Sequence, residues 1–118
     1  MRIPEYKALN QWIDAVHSQN PDTVVNCYAQ TAVLLPTVSN QLRYTQKERH
    51  DYFVSFLAKK PKCRVISLMI NSVSHDVDVL SGTYAFSFED NQQVTARFSY
   101  VYQNGLITQH HSSLMPEN

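Results

Sequence analysis

The sequence predicts an α+β domain: N-terminal helices packed on one face of a strongly curved antiparallel sheet, folded into a conical barrel with a mouth. Three observations carry this prediction. Apolar residues recur at helical spacing in the first half of the chain and at a period of two from Cys63 onward. Helices followed by an antiparallel meander place the helices together on one sheet face. The long strand patterns average roughly ten residues against a usual ~5–6, and strands of that length must coil.

Each element has its own signal. Between Pro4 and Gln19, the residues Tyr6, Leu9, Trp12, Ile13 and Val16 share a helix face, with Pro4 suited to the first turn. Asn20-Pro21 ends that segment and offers a cap and first residue to a short second helix, with Val24, Val25 and Tyr28 on one side. Ala32–Leu35 reads as a short strand before a loop from Pro36 to Arg43. Thr45 and Glu48 form a capping box for a third helix, whose apolar stripe is Tyr52, Phe53, Phe56 and Leu57 and which Pro61 closes. Strands are then expected from Cys63 to Ile70, Val77 to Phe88, Val94 to Tyr102 and Leu106 to about Met115. Glu89-Asp90-Asn91 marks one turn, and Asn104-Gly105 suits a type I′ hairpin because both residues tolerate positive φ. The aromatic residues of these strands are expected on the face away from the helices, left wet, which points to a partner subunit.

A chain of 118 residues suits one domain, 1–118, with a radius of gyration of about 13 Å. At 43% hydrophobic and 17% charged, the composition excludes intrinsic disorder. Two glycines leave no room for a glycine-rich phosphate loop. Ten basic residues balance ten acidic ones, which argues against a nucleic-acid partner. No apolar run approaches the roughly 18 residues of a membrane-spanning helix, and the N-terminus lacks a signal-peptide apolar block. Cys27 and Cys63, isolated in apolar-patterned segments, are expected reduced and buried, which points to the cytoplasm.

Charge is distributed unevenly. Arg43, Lys47, Arg49, Lys59, Lys60, Lys62 and Arg64 cluster against only Glu48 and Asp51, a pattern expected of a solvated helix face. Beyond Arg64 the sole basic residue is Arg97, in mid-strand among the small residues Thr95, Ser99 and Val101. It either faces water or lines a cavity with them, offering its forked donors to a carboxylate. The binding reading requires that guanidinium to be sheltered. His110 and His111 are adjacent on a strand, so they point to opposite faces and cannot chelate one metal; no metal or cofactor is expected. Ser112 and Ser113 lack the strand-turn-helix elbow of a serine hydrolase.

The run from Gly105 to Glu117, with its His-His-Ser-Ser-Leu-Met-Pro-Glu ending, resembles the association domain of calcium/calmodulin-dependent protein kinase II. It is more similar still to small bacterial stand-alone homologues. Trp12, the segment Tyr28–Pro36, Arg43, Tyr52-Phe53 and Arg97 flanked by aromatic residues agree. The wider group is the nuclear transport factor 2-like, or SnoaL-like, superfamily with its conical α+β (cystatin-like) barrel. The resemblance implies a homodimer or larger ring, and a polar pocket for a small carboxylate. Carried over by motif, Arg97 and His111 are pocket residues, with Arg43, Tyr28 and Ser99 as further candidates. Since the chain opens at Met1 with no kinase domain before it, kinase gathering is not expected to transfer. The alternative is an enzyme resembling ketosteroid isomerase and polyketide cyclases, with His111 or Asp14 as general base. That chemistry needs the base held in an apolar cavity.

Overall fold

The computed structural model describes residues 3–116. In chain order it contains α1 (Lys7–Ser18), α2 (Pro21–Val25), β1 (Tyr28–Leu35), α3 (Gln46–Leu57), β2 (Lys62–Ser72), β3 (Val77–Ser87), β4 (Gln93–Gln103) and β5 (Leu106–Leu114). The radius of gyration is 13.5 Å.

Local chemistry sets most boundaries. Asn20 caps α2 by accepting from the Asp22 amide, with Pro21 as first residue. Thr45 and Glu48 make both arms of the capping box on α3. Asn104 and Gly105 take φ of 52° and 82° between β4 and β5, the left-handed values of a type I′ turn. α1 begins later than Pro4: Tyr6 is its N-cap. The Tyr6 hydroxyl instead donates to Asp78 Oδ2 at 2.6 Å, pinning the helix start to β3. Burial and that carboxylate push the Tyr6 phenol up to about 12.

Tyr28 departs from its expected place on the second helix. The helix stops at Val25, and Tyr28 opens β1, which is longer than the expected Ala32–Leu35. The sheet order is β1-β5-β4-β3-β2. β1 runs parallel to β5 while the other pairs are antiparallel, so the sheet is mixed and its ends stay open rather than closing a full barrel. Irregularities between Val65 and Ser67 and between Val101 and Tyr102 bend it. Gly82 permits the bend, since a Cβ there would lie 2.0 Å from the Ser67 carbonyl oxygen.

The core lies between the concave sheet face and the helices. Trp12 packs edge-on to Phe86, Tyr100 and His110 and stacks on Tyr84. Phe56 from α3 meets Phe86 and Phe88 edge-on. Tyr84, Phe86, Phe98, Tyr100 and Tyr102 are all buried. This corrects the expected wet aromatic face: the strand aromatics face the helices, not away from them. Burying one such ring hides about 150–250 Å², about 4–6 kcal/mol of transfer free energy at ~25 cal/mol per Å². Turning the strands over would forfeit that gain repeatedly and bury Arg97 unpaired, at several kcal/mol more.

Candidate functional site

The pleat divides the candidate residues between two faces. The inner face carries a hydrogen-bonded chain. Trp12 Nε1 donates to the Tyr28 hydroxyl at 3.1 Å, and that hydroxyl lies 2.8 Å from His110 Nδ1. His110 Nε2 is 3.1 Å from the Tyr84 hydroxyl, which donates to Ser112 Oγ at 2.7 Å. Ser112 is hydrogen-bonded in turn to Thr37, at the start of the loop after β1. Indole N–H can only donate. Every hydroxyl proton of this chain then finds an acceptor only if Tyr28 donates to Nδ1 and Nε2–H donates to Tyr84. That fixes a neutral imidazole. Desolvation, with the neighbouring His111 charge, holds the His110 pKa down at about 3.

There is almost no space beside this chain. The cavity lined by Trp12, Pro36, Thr37, Tyr52, Phe56 and His110 measures about 10 Å³, the room one water needs. Both imidazole nitrogens are occupied, so this chain is a closed polar network inside an aromatic core, while the buried Tyr100 and Tyr102 hydroxyls beside it have no hydrogen-bond partner among the described residues.

Arg49 is a second buried polar centre. It is 0% exposed, which corrects its expected place on a solvated helix face. Nη1 donates to the Ala32 carbonyl at 2.6 Å, and Nη2 to the carbonyls of Ala29 (3.1 Å) and Gln30 (2.9 Å) and to Gln46 Oε1 (3.1 Å). These carbonyls belong to the stretch of β1 where its register with β5 shifts. The guanidinium thus satisfies backbone groups that the ladder leaves aside. The sequence held a signal: 49, 52, 53 and 56 fall at i, i+3, i+4 and i+7, on the buried face of α3.

The outer face is different. Register places Met69, Ser81, Ser99, His111 and Leu35 in one row across the sheet, from β2 to β1. The next outward-facing row is Ser67, Thr83, Arg97 and Ser113. Arg97, Ser99 and His111 are exposed and border a recess of about 260 Å³, together with Leu35 and Ser113. His111 therefore shares the face of Arg97, and His110 takes the other. The enclosed cavity expected around Arg97 is not there: within one chain its guanidinium meets solvent.

The remaining candidates lie elsewhere. Tyr28 is buried on the inner face and cannot join Arg97. Arg43 ends the loop after β1, where its side chain donates to the Gln41 and Glu48 carbonyls and to Ser39 Oγ, and sits 5.4 Å over the Tyr52 ring. Asp14 is exposed on α1. Neither His111 nor Asp14 sits in the apolar enclosure a general base requires.

Helices packed on the concave face of an open, curved sheet define the nuclear transport factor 2-like fold. A protein of that fold and unknown function from Pseudomonas putida superposes with a TM-score of 0.80 at 13% identity, over 95% of this chain and 84% of that one. SalBIII, an epoxide hydrolase/cyclase-like enzyme of pyran ring formation in the polyether salinomycin, gives 0.74 at 11% identity, over 92% and 88%. At these identities the likeness is one of fold alone. A protein from Xanthomonas campestris assigned as a calcium/calmodulin dependent protein kinase II association domain is much more similar: 35% identity, a TM-score of 0.90, and coverage of 100% of this chain and 95% of that one. Residues 5–116 match the model of the calcium/calmodulin dependent protein kinase II association domain. The chain belongs to that family. None of the curated proteins compared with it matches its sequence.

Proposed function

We propose that this chain is a self-associating domain whose copies meet through the outer face of the sheet, and that Arg97, Ser99 and His111 on that face take a small carboxylate. The observation that carries the reading is the charge-poor character of a wide, open face. Its rows from Asn71–Val79–Val101–Gln109–Val33 to Arg64–Ala85–Thr95 hold no acidic side chain and no lysine. Depletion of charge is the compositional mark of an interface centre. Membership of an association-domain family supports the same reading.

The anion follows from Arg97. It has no ion-pair partner among the described residues, and covering it without a counter-charge costs several kcal/mol. A carboxylate in the recess supplies that charge, with Ser99 and His111 as further hydrogen-bonding groups. The free thiols of Cys27 and Cys63 support a reducing compartment, the cytoplasm.

Light scattering at micromolar concentration tests the association. The expected mass is at least twice the 13.6 kDa of the chain, and Ser81→Lys, which sets a charge amid the face, is expected to return the monomer. A monomeric unsubstituted chain overturns the reading. Calorimetry with sodium acetate tests the recess. Arg97→Ala is expected to abolish the binding heat, and a heat unchanged by that substitution removes Arg97 from the site.

A further inference from the structure

The outer face is asymmetric along one row. Met69, on edge strand β2, is 70% exposed, the highest value among the large apolar side chains described. At the other end of the same row, Leu35 and His111 border the recess that also holds Arg97 and Ser99. A protruding apolar side chain and a hollow thus lie at opposite ends of a line whose middle is Ser99 on the central strand β4. Resting on the self-association reading, we infer that the recess is half of a composite site: Met69 of a second copy closes it, about a two-fold axis running along β4.

The geometry of face-to-face sheets supports this axis. A two-fold parallel to β4, lying between the sheets, exchanges the β2 and β1 sides, so each Met69 falls over the partner's Leu35 and His111. Both hollows are then filled by one isologous contact. Sheets packed this way lie about 10 Å apart with strands turned by about 30°. That gap is spanned by a thioether side chain meeting a hollow and is left half empty by serines alone. Five strands at about 4.8 Å and eight residues at about 3.4 Å give a footprint of roughly 600 Å² per copy before side-chain relief. That approaches the ~800 Å² per partner of a standard stable interface.

The same axis has an electrostatic consequence. Arg97 lies on β4, so the two guanidinium groups approach each other near the axis. Like charges in a closing interface oppose it unless an anion lies between them. The carboxylate and the second copy therefore require one another: each shelters what the other leaves exposed. Binding and association are linked, and the linkage is reciprocal.

Cross-linking tests the arrangement. Met69→Cys and Leu35→Cys chains, carrying different affinity tags, are co-expressed and treated with a short bismaleimide. Cys63 is buried but Cys27 is only half-buried, so every variant carries Cys27→Ser and the Cys27→Ser chain alone is the control. The expected product joins the two different variants, and Met69→Cys alone gives no cross-linked pair. In parallel, dilution light scattering of the unsubstituted chain in sodium acetate is expected to show several-fold tighter dimers than in sodium chloride. Self-linking of Met69→Cys signifies an axis across the strands and overturns the inference. So does the absence of any link in a preparation that light scattering shows to be dimeric, or acetate leaving the dimer unchanged. A monomer in light scattering instead removes the association reading itself, which keeps the two failures apart.

Discussion

The two faces of the sheet are made from the same strands, alternating residue by residue, yet they follow opposite rules. The inner face takes Tyr84, Phe86, Phe98, Tyr100 and His110 and leaves almost no space; the outer face takes Thr83, Ser81, Arg97, Ser99 and His111 and leaves a hollow. The contrast teaches that polarity is not what separates site from core here. The inner face links His110 to the hydroxyls of Tyr28, Tyr84 and Ser112 in one hydrogen-bonded chain, and it also buries the Tyr100 and Tyr102 hydroxyls, which have no partner among the described residues. The outer face holds fewer such bonds and two guanidinium groups, Arg64 and Arg97, with no ion-pair partner among the described residues. Solvent-accessible charge with room beside it for an anion lies outside.

Disrupting the inner face has the largest expected effect. Trp12→Ala removes the ring at the centre of the aromatic packing and the donor that orders the Tyr28–His110 chain. Urea denaturation is expected to show a loss of about 3–5 kcal/mol, the range for large aromatic deletions. A loss under 1 kcal/mol would mean that the interior repacks freely and that the contrast is overstated.

Acid comes next. The folded-state pKa of His110, about 3, lies below the unfolded value near 6.5. Between those values the unfolded chain binds a proton that the folded chain refuses, so stability falls as pH falls through that window. From pH 6.5 to 5 the loss is about 2 kcal/mol. His110→Gln removes this histidine's contribution, so its midpoint is expected to change less with pH than that of the unsubstituted chain. An equal pH slope in both proteins would assign the effect to other groups.

The smallest effect belongs to the outer face. Thr83→Ala deletes one side of an exposed hydroxyl pair with Ser67, 2.7 Å apart. Measured on the monomer, it is expected to shift stability by no more than about 0.5 kcal/mol. A larger cost would show that this face stabilises the single chain as well as contacts between chains.

Much of the fold is legible in the sequence because its signals are local. The Thr45–Glu48 box, the Asn20-Pro21 junction and the Asn104-Gly105 turn each act within four residues, and each appears where expected. The side of the sheet on which Arg97 lies is not local. A period of two states that Arg97 and Phe98 face oppositely, without stating which of them faces the helices. That choice depends on Trp12, Tyr52, Phe53 and Phe56 from distant segments supplying aromatic partners to one face. Arg49 illustrates the complementary error. Its position in the apolar stripe of α3 was readable, but its charge suggested solvent, and the carbonyls that justify its burial come from a strand irregularity with no sequence mark.

Arg49 has one more consequence, for how the molecule survives crowding. An open sheet offers its border strands as templates for foreign chains. Along β1, Arg49 occupies the carbonyls of Ala29, Gln30 and Ala32, while Leu34 exchanges both of its backbone bonds with Arg43 at 2.8 Å. An incoming strand finds few vacancies on that border. Growth of the ladder is thereby directed to the opposite border, β2, which opens with Lys62 and Arg64, charges that repel an identical neighbour laid alongside them.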